Sequence, residues 1–270
     1  MITTIDGAPA QPLGLAAYPH QPRTCVRVAH DAGVNVFFFY GPSHLKAFAD
    51  LAALLERSRE RVIVATGCGS RSTRGLERAR RALCRRLGTD VIDLFVAEYV
   101  SPADDPTAVF GVGGVLDVLR GWRDAGAIRY VGASTHDPDL GLRFVRDWRI
   151  DVLMLRFNMA HRRVGSAVFP AAHRARLPVV AYTATRWGTL LDGHPEWDGP
   201  VPTATECYRY CLAEPAVEIV LTAPTSLAHV RANVEVLRGR VPTARACARW
   251  DAYGDLVHGD GTGRFETLWP

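Results

Sequence analysis

Lysine is almost absent from this chain. Of 32 basic residues, only Lys46 is a lysine; the rest are arginine. A Schiff-base aldolase or a pyridoxal-phosphate enzyme needs a lysine amine at its reacting centre. Unless Lys46 supplies it, that chemistry is excluded. Long apolar runs are also missing: no stretch approaches the roughly 20 residues needed to cross a bilayer. No CxxC pair occurs. Cys25, Cys68, Cys84, Cys207, Cys211 and Cys247 are dispersed, and Cys207 and Cys211 sit four apart on an expected helix. They read as reduced, packed thiols of a cytoplasmic protein. The opening MITTIDGAPAQPLGL has no basic region followed by an apolar run, so no signal peptide is expected. Net charge is only +4 and the arginines are not blocked together, so neither nucleic acid nor membrane is expected as a partner. No HxH or HxxxH pair is present and no metal is expected. The GxGxxG fingerprint of a doubly wound dinucleotide domain is missing as well, because the first strand runs into AAYPHQP.

What is present is an alternation of short apolar runs with amphipathic stretches. Strands are expected at Leu13–Ala16, Val34–Phe39, Arg61–Thr66, Val91–Ala97, Ile128–Ala133, Val152–Phe157, Val179–Tyr182 and Glu218–Leu221. Helices are expected at Thr24–Ala32, Ser43–Arg57, Thr73–Leu87, Thr107–Ala125, Pro138–Trp148, Ser166–Ala175, Thr203–Ala213 and Ser226–Leu237. Eight strand–helix units predict an α/β fold, a single-domain (β/α)8 TIM barrel over about residues 10–240. One extra C-terminal helix, Pro242–Val257, and a glycine-rich tail fill 241–270. Leu191–Val201 is long enough to act as a lid over the barrel mouth.

The organising stretch is LGTDVIDLFVAEY, Leu87 to Tyr99. Its apolar run reads as a strand buried on both faces, and it ends in Glu98. In a parallel barrel the C-terminal strand ends carry the catalytic side chains. Other polar residues at such ends are His136, a candidate proton shuttle, and Arg156, which shares a strand face with Met154 and Asn158. Arg186 and Trp187 follow the seventh strand. Burial should raise the Glu98 pKa and a nearby Arg156 should lower it, so the winner decides between general acid and general base.

The stretches AGVNVFF, RVIVATG, LGTDVIDLF, GAIRYVGAST, RFN, VVAYTATRWGTL and EPAVEIVLTAPTSLAHVRAN follow one another in an order and spacing that resembles the aldo-keto reductase superfamily over nearly the whole chain. The resemblance implies the barrel and a nicotinamide cofactor, NADPH. Reductases of that superfamily use an Asp and a Tyr after the second strand, a Lys after the third and a His after the fourth. The Lys–Asp pair lowers the Tyr pKa so that it can protonate the carbonyl oxygen. Here the Asp position is Phe38, the Lys position Gly67 and the His position Glu98. Tyr40 keeps the Tyr if a few residues are deleted after Phe38; without the deletion that position falls on Ser43. Relatives with Glu at the His position that reduce a carbon–carbon double bond retain their lysine. The Ser-Asn pair that holds the nicotinamide carboxamide becomes Ser134–Thr135, and its Gln partner becomes Met154. Tyr182 is the candidate stacking ring, and Arg186 lies where the family's cofactor passes. The phosphate-binding stretch is better kept: Thr225, Ser226, Arg231 and Asn233 stand at familiar spacing, although Ala223 replaces a Gly.

Three functions follow. The first is an enzyme of altered chemistry, using Glu98, Tyr40 and His136 for proton transfer on a small carbonyl-containing metabolite, with Arg156, Asn158 and Trp187 binding that substrate. The second is an NADPH-dependent reductase with Tyr40 as acid and Glu98 assisting. The third is a non-catalytic ligand-binding or partner subunit. If the 225–233 stretch still binds nucleotide, NADPH should bind more tightly than NADH, because Arg231 would pair with the 2′-phosphate. Fluorescence titration of Arg231→Ala should then show the preference lost; equal affinities in the parent chain would refute the assignment.

Overall fold

The computed structural model describes residues 1–19, 21–40, 50–239 and 241–262. Its strands are β1 (Leu13–Ala16), β2 (Val36–Phe39), β3 (Ile63–Cys68), β4 (Ile92–Ala97), β5 (Ile128–Thr135), β6 (Val152–Arg156), β7 (Val179–Tyr182) and β8 (Val217–Thr222). All neighbours are parallel, and β1 pairs with β8 through Leu13↔Val220, so the sheet closes into the expected barrel.

Strand alternation sorts the core into two layers. Val36, Phe38, Ile63, Ala65, Leu94, Val96, Val152, Met154, Val180, Tyr182, Ile219 and Leu221 meet inside the barrel, with Ile2 and Tyr130 packed against them. The intervening residues, such as Phe37, Phe39, Val64, Phe95, Val131 and Leu153, face the helices.

The helices are α1 (Cys25–Asp31), α2 (Leu51–Ser58), α3 (Thr73–Leu87), α4 (Pro106–Phe110), α5 (Val115–Asp124), α6 (Pro138–Val145), α7 (Val168–Ala175), α8 (Ala204–Leu212), α9 (Leu227–Asn233) and α10 (Ala244–His258). α3 matches its expected bounds because both ends carry stop signals. Ser72 accepts from the Gly75 N–H, and Gly88 adopts the left-handed conformation at φ 65°. The single helix expected over Thr107–Ala125 is instead two, α4 and α5. Gly113 has φ 73°, and a Cβ on Gly114 would come within 2.8 Å of the Ala108 carbonyl oxygen. The glycine run Gly111–Gly114 therefore supplies a sharp corner that other residues resist. Of the helix expected at Ser43–Arg57, only the part from Leu51 falls in α2; residues 41–49 lie outside the described residues.

α10 docks on the loops that follow β6 and β7. The Tyr253 hydroxyl donates to the Leu190 carbonyl at 2.9 Å, and Trp197 lies 5.3 Å from Tyr253. The insert Leu191–Val201 is thereby packed at Trp197 against α10.

Asp93, the one break in the apolar run of β4, is fully buried. Its carboxylate accepts from the Val64 N–H at 2.8 Å and pairs with Arg59 at 2.8 Å and Arg129 at 2.9 Å. Arg129 also donates to the Thr3 and Thr4 carbonyls, which ties the N-terminal segment to the barrel. Removing one partner of a buried ion pair strands the others, at a cost of about 3–5 kcal/mol. Asp93→Ala is expected to lose stability on that scale in urea unfolding; a loss below about 1 kcal/mol would show that Arg59 and Arg129 find other partners.

Candidate active site

On β4 the alternation that buries Leu94 and Val96 inside the barrel brings Glu98 to the same side at the strand's C-terminal end. There it meets Gly67 of β3. A Cβ built on Gly67 would lie 2.7 Å from both Cδ and Oε1 of Glu98, and closer still to its Cγ. The Glu98 side chain therefore lies on the bare α-carbon of residue 67. No side chain can stand at 67 while Glu98 keeps this position. Glu98 Oε1 is buried and has no hydrogen-bond partner among the described residues. Burial pushes the Glu98 carboxyl up to about 7, against a smaller opposing pull from Arg71. The cation acting on Glu98 is therefore Arg71, not the expected Arg156. Burial wins the competition, and the group sits where it can give or take a proton near neutral pH.

The chain turns sharply after this residue. Tyr99 takes the left-handed conformation at φ 53°, which costs energy for a bulky residue. Three contacts hold it. Its N–H donates to Ser134 Oγ at 2.8 Å, the Val100 N–H donates to the Ser134 carbonyl at 2.8 Å, and Arg71 reaches the Tyr99 carbonyl at 3.2 Å.

A ring of aromatic groups surrounds Glu98. Tyr40 follows β2, its ring edge-on to Phe38 at 4.8 Å. The residue is 39% exposed, yet burial and then the charge of Glu98 raise its phenol pKa. Tyr182, buried at the end of β7, has its pKa raised by burial and by Tyr40, Tyr99 and Glu98, against an opposing pull from Arg156. Arg156 pairs in register with Tyr182. His136 lies between two rings, 4.8 Å from Tyr99 and 5.6 Å from Tyr182. Tyr40, Glu98, His136, Arg156 and Tyr182 thus converge on one barrel mouth.

Other expected site residues are engaged elsewhere. Asn158 is fully buried. Its amide donates to the Thr183 carbonyl at 2.9 Å and meets His161 Nδ1 at 3.1 Å, while its oxygen accepts from the Ala160 and His161 N–H groups, each at 2.9 Å. That fills the hydrogen-bonding capacity of the side chain, so Asn158 braces its own loop and the substrate-binding role expected for it does not fit. Arg186 is buried and donates to the Val257 carbonyl of α10. Trp187 is 52% exposed on the rim, in left-handed backbone at φ 53°. Asn233 is buried and donates to Thr222 at 2.9 Å. Ser226 caps α9 by accepting from the His229 N–H at 3.1 Å. Thr225 and Arg231 are exposed.

These positions fit the two ends of a nicotinamide nucleotide unequally. At the ring end, Ser134 already accepts from the Tyr99 N–H, and the buried Thr135 hydroxyl accepts from the Asp137 N–H at 3.0 Å. Met154 is buried in the barrel interior and offers no amide. The ring end therefore offers the remaining capacity of two hydroxyls to a carboxamide, but no amide side chain at 135 or 154. At the phosphate end, Arg231 is exposed, and the exposed Thr225 has its hydroxyl 3.3 Å from His229 Nδ1. No group of three or more His, Cys, Asp or Glu among the described residues is placed to hold a metal ion.

Arg71 and Asp104 are members of the site that sequence reasoning missed. Arg71 is one arginine among many, in a loop with no motif around it, and only its position beside Glu98 marks it out. No sequence pattern announces the left-handed backbone of Tyr99.

A search of curated proteins finds no match. Among solved structures, the holo form of aldo-keto reductase AKR11C1 from Bacillus halodurans superposes with a TM-score of 0.77 at 19% identity, covering 93% of this chain and 95% of that one. An aldo/keto reductase from Klebsiella pneumoniae in complex with NADP and acetate gives 0.73 at 18% identity, covering 94% and 95%. An aldo-keto reductase from the same organism in complex with NADPH gives 0.72 at 17% identity, covering 94% of each chain. At these identities the likeness shows the fold. The family model for the aldo/keto reductase family matches residues 18–200, well over half of the sequence, and the chain belongs to that family.

Proposed function

We propose that the chain is an enzyme that moves a proton on a small carbonyl-containing metabolite, with Glu98 as its acid–base group. The reaction class is a dehydration, isomerisation, cyclisation or lyase step rather than carbonyl reduction. The observation that carries this reading is the Glu98 carboxyl itself. It lies over Gly67, its buried Oε1 has no partner among the described residues, and burial brings its pKa to about 7. A buried carboxyl oxygen without a partner is costly, and a substrate hydroxyl or enolising C–H would relieve that cost.

Tyr40 supports the same reading from the other side. A phenol that protonates a carbonyl is helped by a cation that lowers its pKa. Here the Lys position is Gly67, and the neighbouring charge is the Glu98 carboxylate, which raises the Tyr40 pKa. Tyr40 is thus a neutral hydrogen-bond donor to substrate rather than an acid. His136 is the second proton carrier of the proposal, and Arg156 and Trp187 border the substrate's space. The six cysteines are free, which suits the reducing cytoplasm to which we assign the protein. No described helix is long and apolar enough to cross a membrane.

An NADPH-dependent reductase is the second reading. It is favoured by the NADP- and NADPH-bound Klebsiella pneumoniae structures and by the exposed Thr225 and Arg231. The two readings separate in one experiment. The protein is incubated in D2O with a panel of small enolisable aldehydes, ketones and keto acids, and 1H NMR follows loss of the α-proton. A parallel set with NADPH is read at 340 nm. Exchange without nicotinamide oxidation is expected. Glu98→Gln should slow it by about a hundredfold to ten-thousandfold, the usual contribution of one positioned proton-transfer group. Exchange by Glu98→Gln within about threefold of the parent rate would move the assignment to His136; NADPH oxidation would establish the reductase.

A second expectation needs no substrate. The folded pKa of Glu98, about 7, lies above its ordinary value of 4.5. Between these values the native state holds the proton that the unfolded chain has released, so stability falls as pH rises through the window. Glu98→Gln cannot lose that proton. Its stability relative to the parent should therefore climb from about pH 4.5 to pH 7 and level off above. A difference that stays flat across the window would show that the carboxyl is not held protonated.

A further inference from the structure

Arg71, in the loop after β3, makes five hydrogen bonds around the backbone that carries Glu98. Its guanidinium forms a two-pronged pair with Asp104, Nε to Oδ1 at 2.8 Å and Nη2 to Oδ2 at 3.0 Å. Nη2 also donates to the Glu98 carbonyl at 3.0 Å and the Tyr99 carbonyl at 3.2 Å, and Nη1 to the Gly69 carbonyl at 3.2 Å. Asp104 is fixed in turn by the Ser101 N–H at 2.8 Å. One planar cation thus ties the loop after β3 to the loop after β4, across Glu98 and the left-handed Tyr99. Only an arginine fork can make these contacts together; a lysine is a single point charge.

We propose that Arg71, clamped by Asp104, is the positioning residue of this site: it fixes the backbone of Glu98 and Tyr99 so that the Glu98 carboxyl stays seated over Gly67. The role deepens the proton-transfer reading and rests on it. Without the strap, Tyr99 can relax toward ordinary backbone, and the carboxyl swings away from the glycine surface that holds it. Misplacing a reacting group by about 1 Å costs on the order of a hundredfold in rate. Arg71 is also the cation facing Glu98. The other titratable or charged groups around it are Tyr40 from β2 and Tyr182 from β7, with Arg156, Tyr99 and His136 packed about Tyr182.

Two variants of the full chain test the idea. Arg71→Met removes both charge and fork; Arg71→Lys keeps the charge and removes the fork. The Glu98 carboxyl is titrated by 13C NMR on glutamate-labelled protein, its resonance identified by its absence from Glu98→Gln. With the cation gone, the Glu98 midpoint should move to higher pH in Arg71→Met and stay near the parent value in Arg71→Lys. Both variants should slow solvent exchange by about tenfold to a hundredfold, mostly in kcat. If Arg71→Met does not fold, Arg71→Lys carries the test. A parent-like exchange rate in Arg71→Lys would overturn the positioning role, and an unchanged midpoint in Arg71→Met would show that Arg71 does not act on the carboxyl. If no substrate exchanges, an unchanged Glu98 chemical shift and midpoint in both variants overturns the proposal. A fully active Glu98→Gln would overturn the proton-transfer reading instead, while the effect of Arg71 on the Glu98 titration would stand.

Discussion

One volume at the mouth of this barrel has two possible claimants, a side chain at position 67 or the carboxyl of Glu98. Glycine at 67 gives it to Glu98. The chemistry available at the mouth follows from that exclusion. A lysine cannot stand at position 67 while Glu98 lies there, and burial and the Glu98 charge raise the Tyr40 phenol pKa. The carboxyl is drawn out of water, so its pKa rises to about 7. Its buried Oε1 is left without a partner among the described residues. Glu98 in this position requires glycine at 67, because any side chain there would overlap its carboxyl.

The barrel keeps this site apart from the contacts that hold it closed. Asp93 and Glu98 belong to the same strand region, yet they serve opposite ends. Asp93 pairs with Arg59 and Arg129, which join the start of β4 to β5 and to the N-terminal segment. Glu98, at the far end, keeps a buried Oε1 with no hydrogen-bond partner among the described residues. A fully compensated carboxylate fastens the base and an uncompensated carboxyl lines the mouth. Arg71 stands between these cases: it is satisfied by Asp104, but spends its remaining donors on the backbone that carries Glu98.

Membership of the aldo/keto reductase family fixes the scaffold. A barrel of this kind hosts many chemistries because its strand ends can change without disturbing the layered interior. The interior here is intact and apolar from Val36 to Leu221. Gly67 and Glu98 meet at the barrel mouth, at the C-terminal ends of β3 and β4.

The sequence by itself determined the barrel. Short continuous apolar runs placed all eight strands within about two residues, because burial on both faces leaves few polar residues to blur them. A capping serine and a left-handed glycine set the ends of α3. It also nominated Glu98, His136 and Arg156, since residues at the C-terminal ends of parallel strands must share one face, and the family resemblance added Tyr40 and Tyr182. The corner at Gly111–Gly114 was hidden because helical periodicity runs through it on both sides. The sequence could not say which polar atoms were already taken. Asn158 looks available in one dimension, but the loop it closes uses every donor and acceptor it has. Arg71 looks like one arginine among many, but it reaches two carbonyls and a carboxylate from separate loops. Those contacts join residues some 30 positions apart, and only tertiary structure brings such groups within hydrogen-bond reach. The overlap of Glu98 with the space above Gly67 is of the same kind. It depends on the register of β3 against β4, and register is settled by the packing of the closed barrel, not by either strand alone.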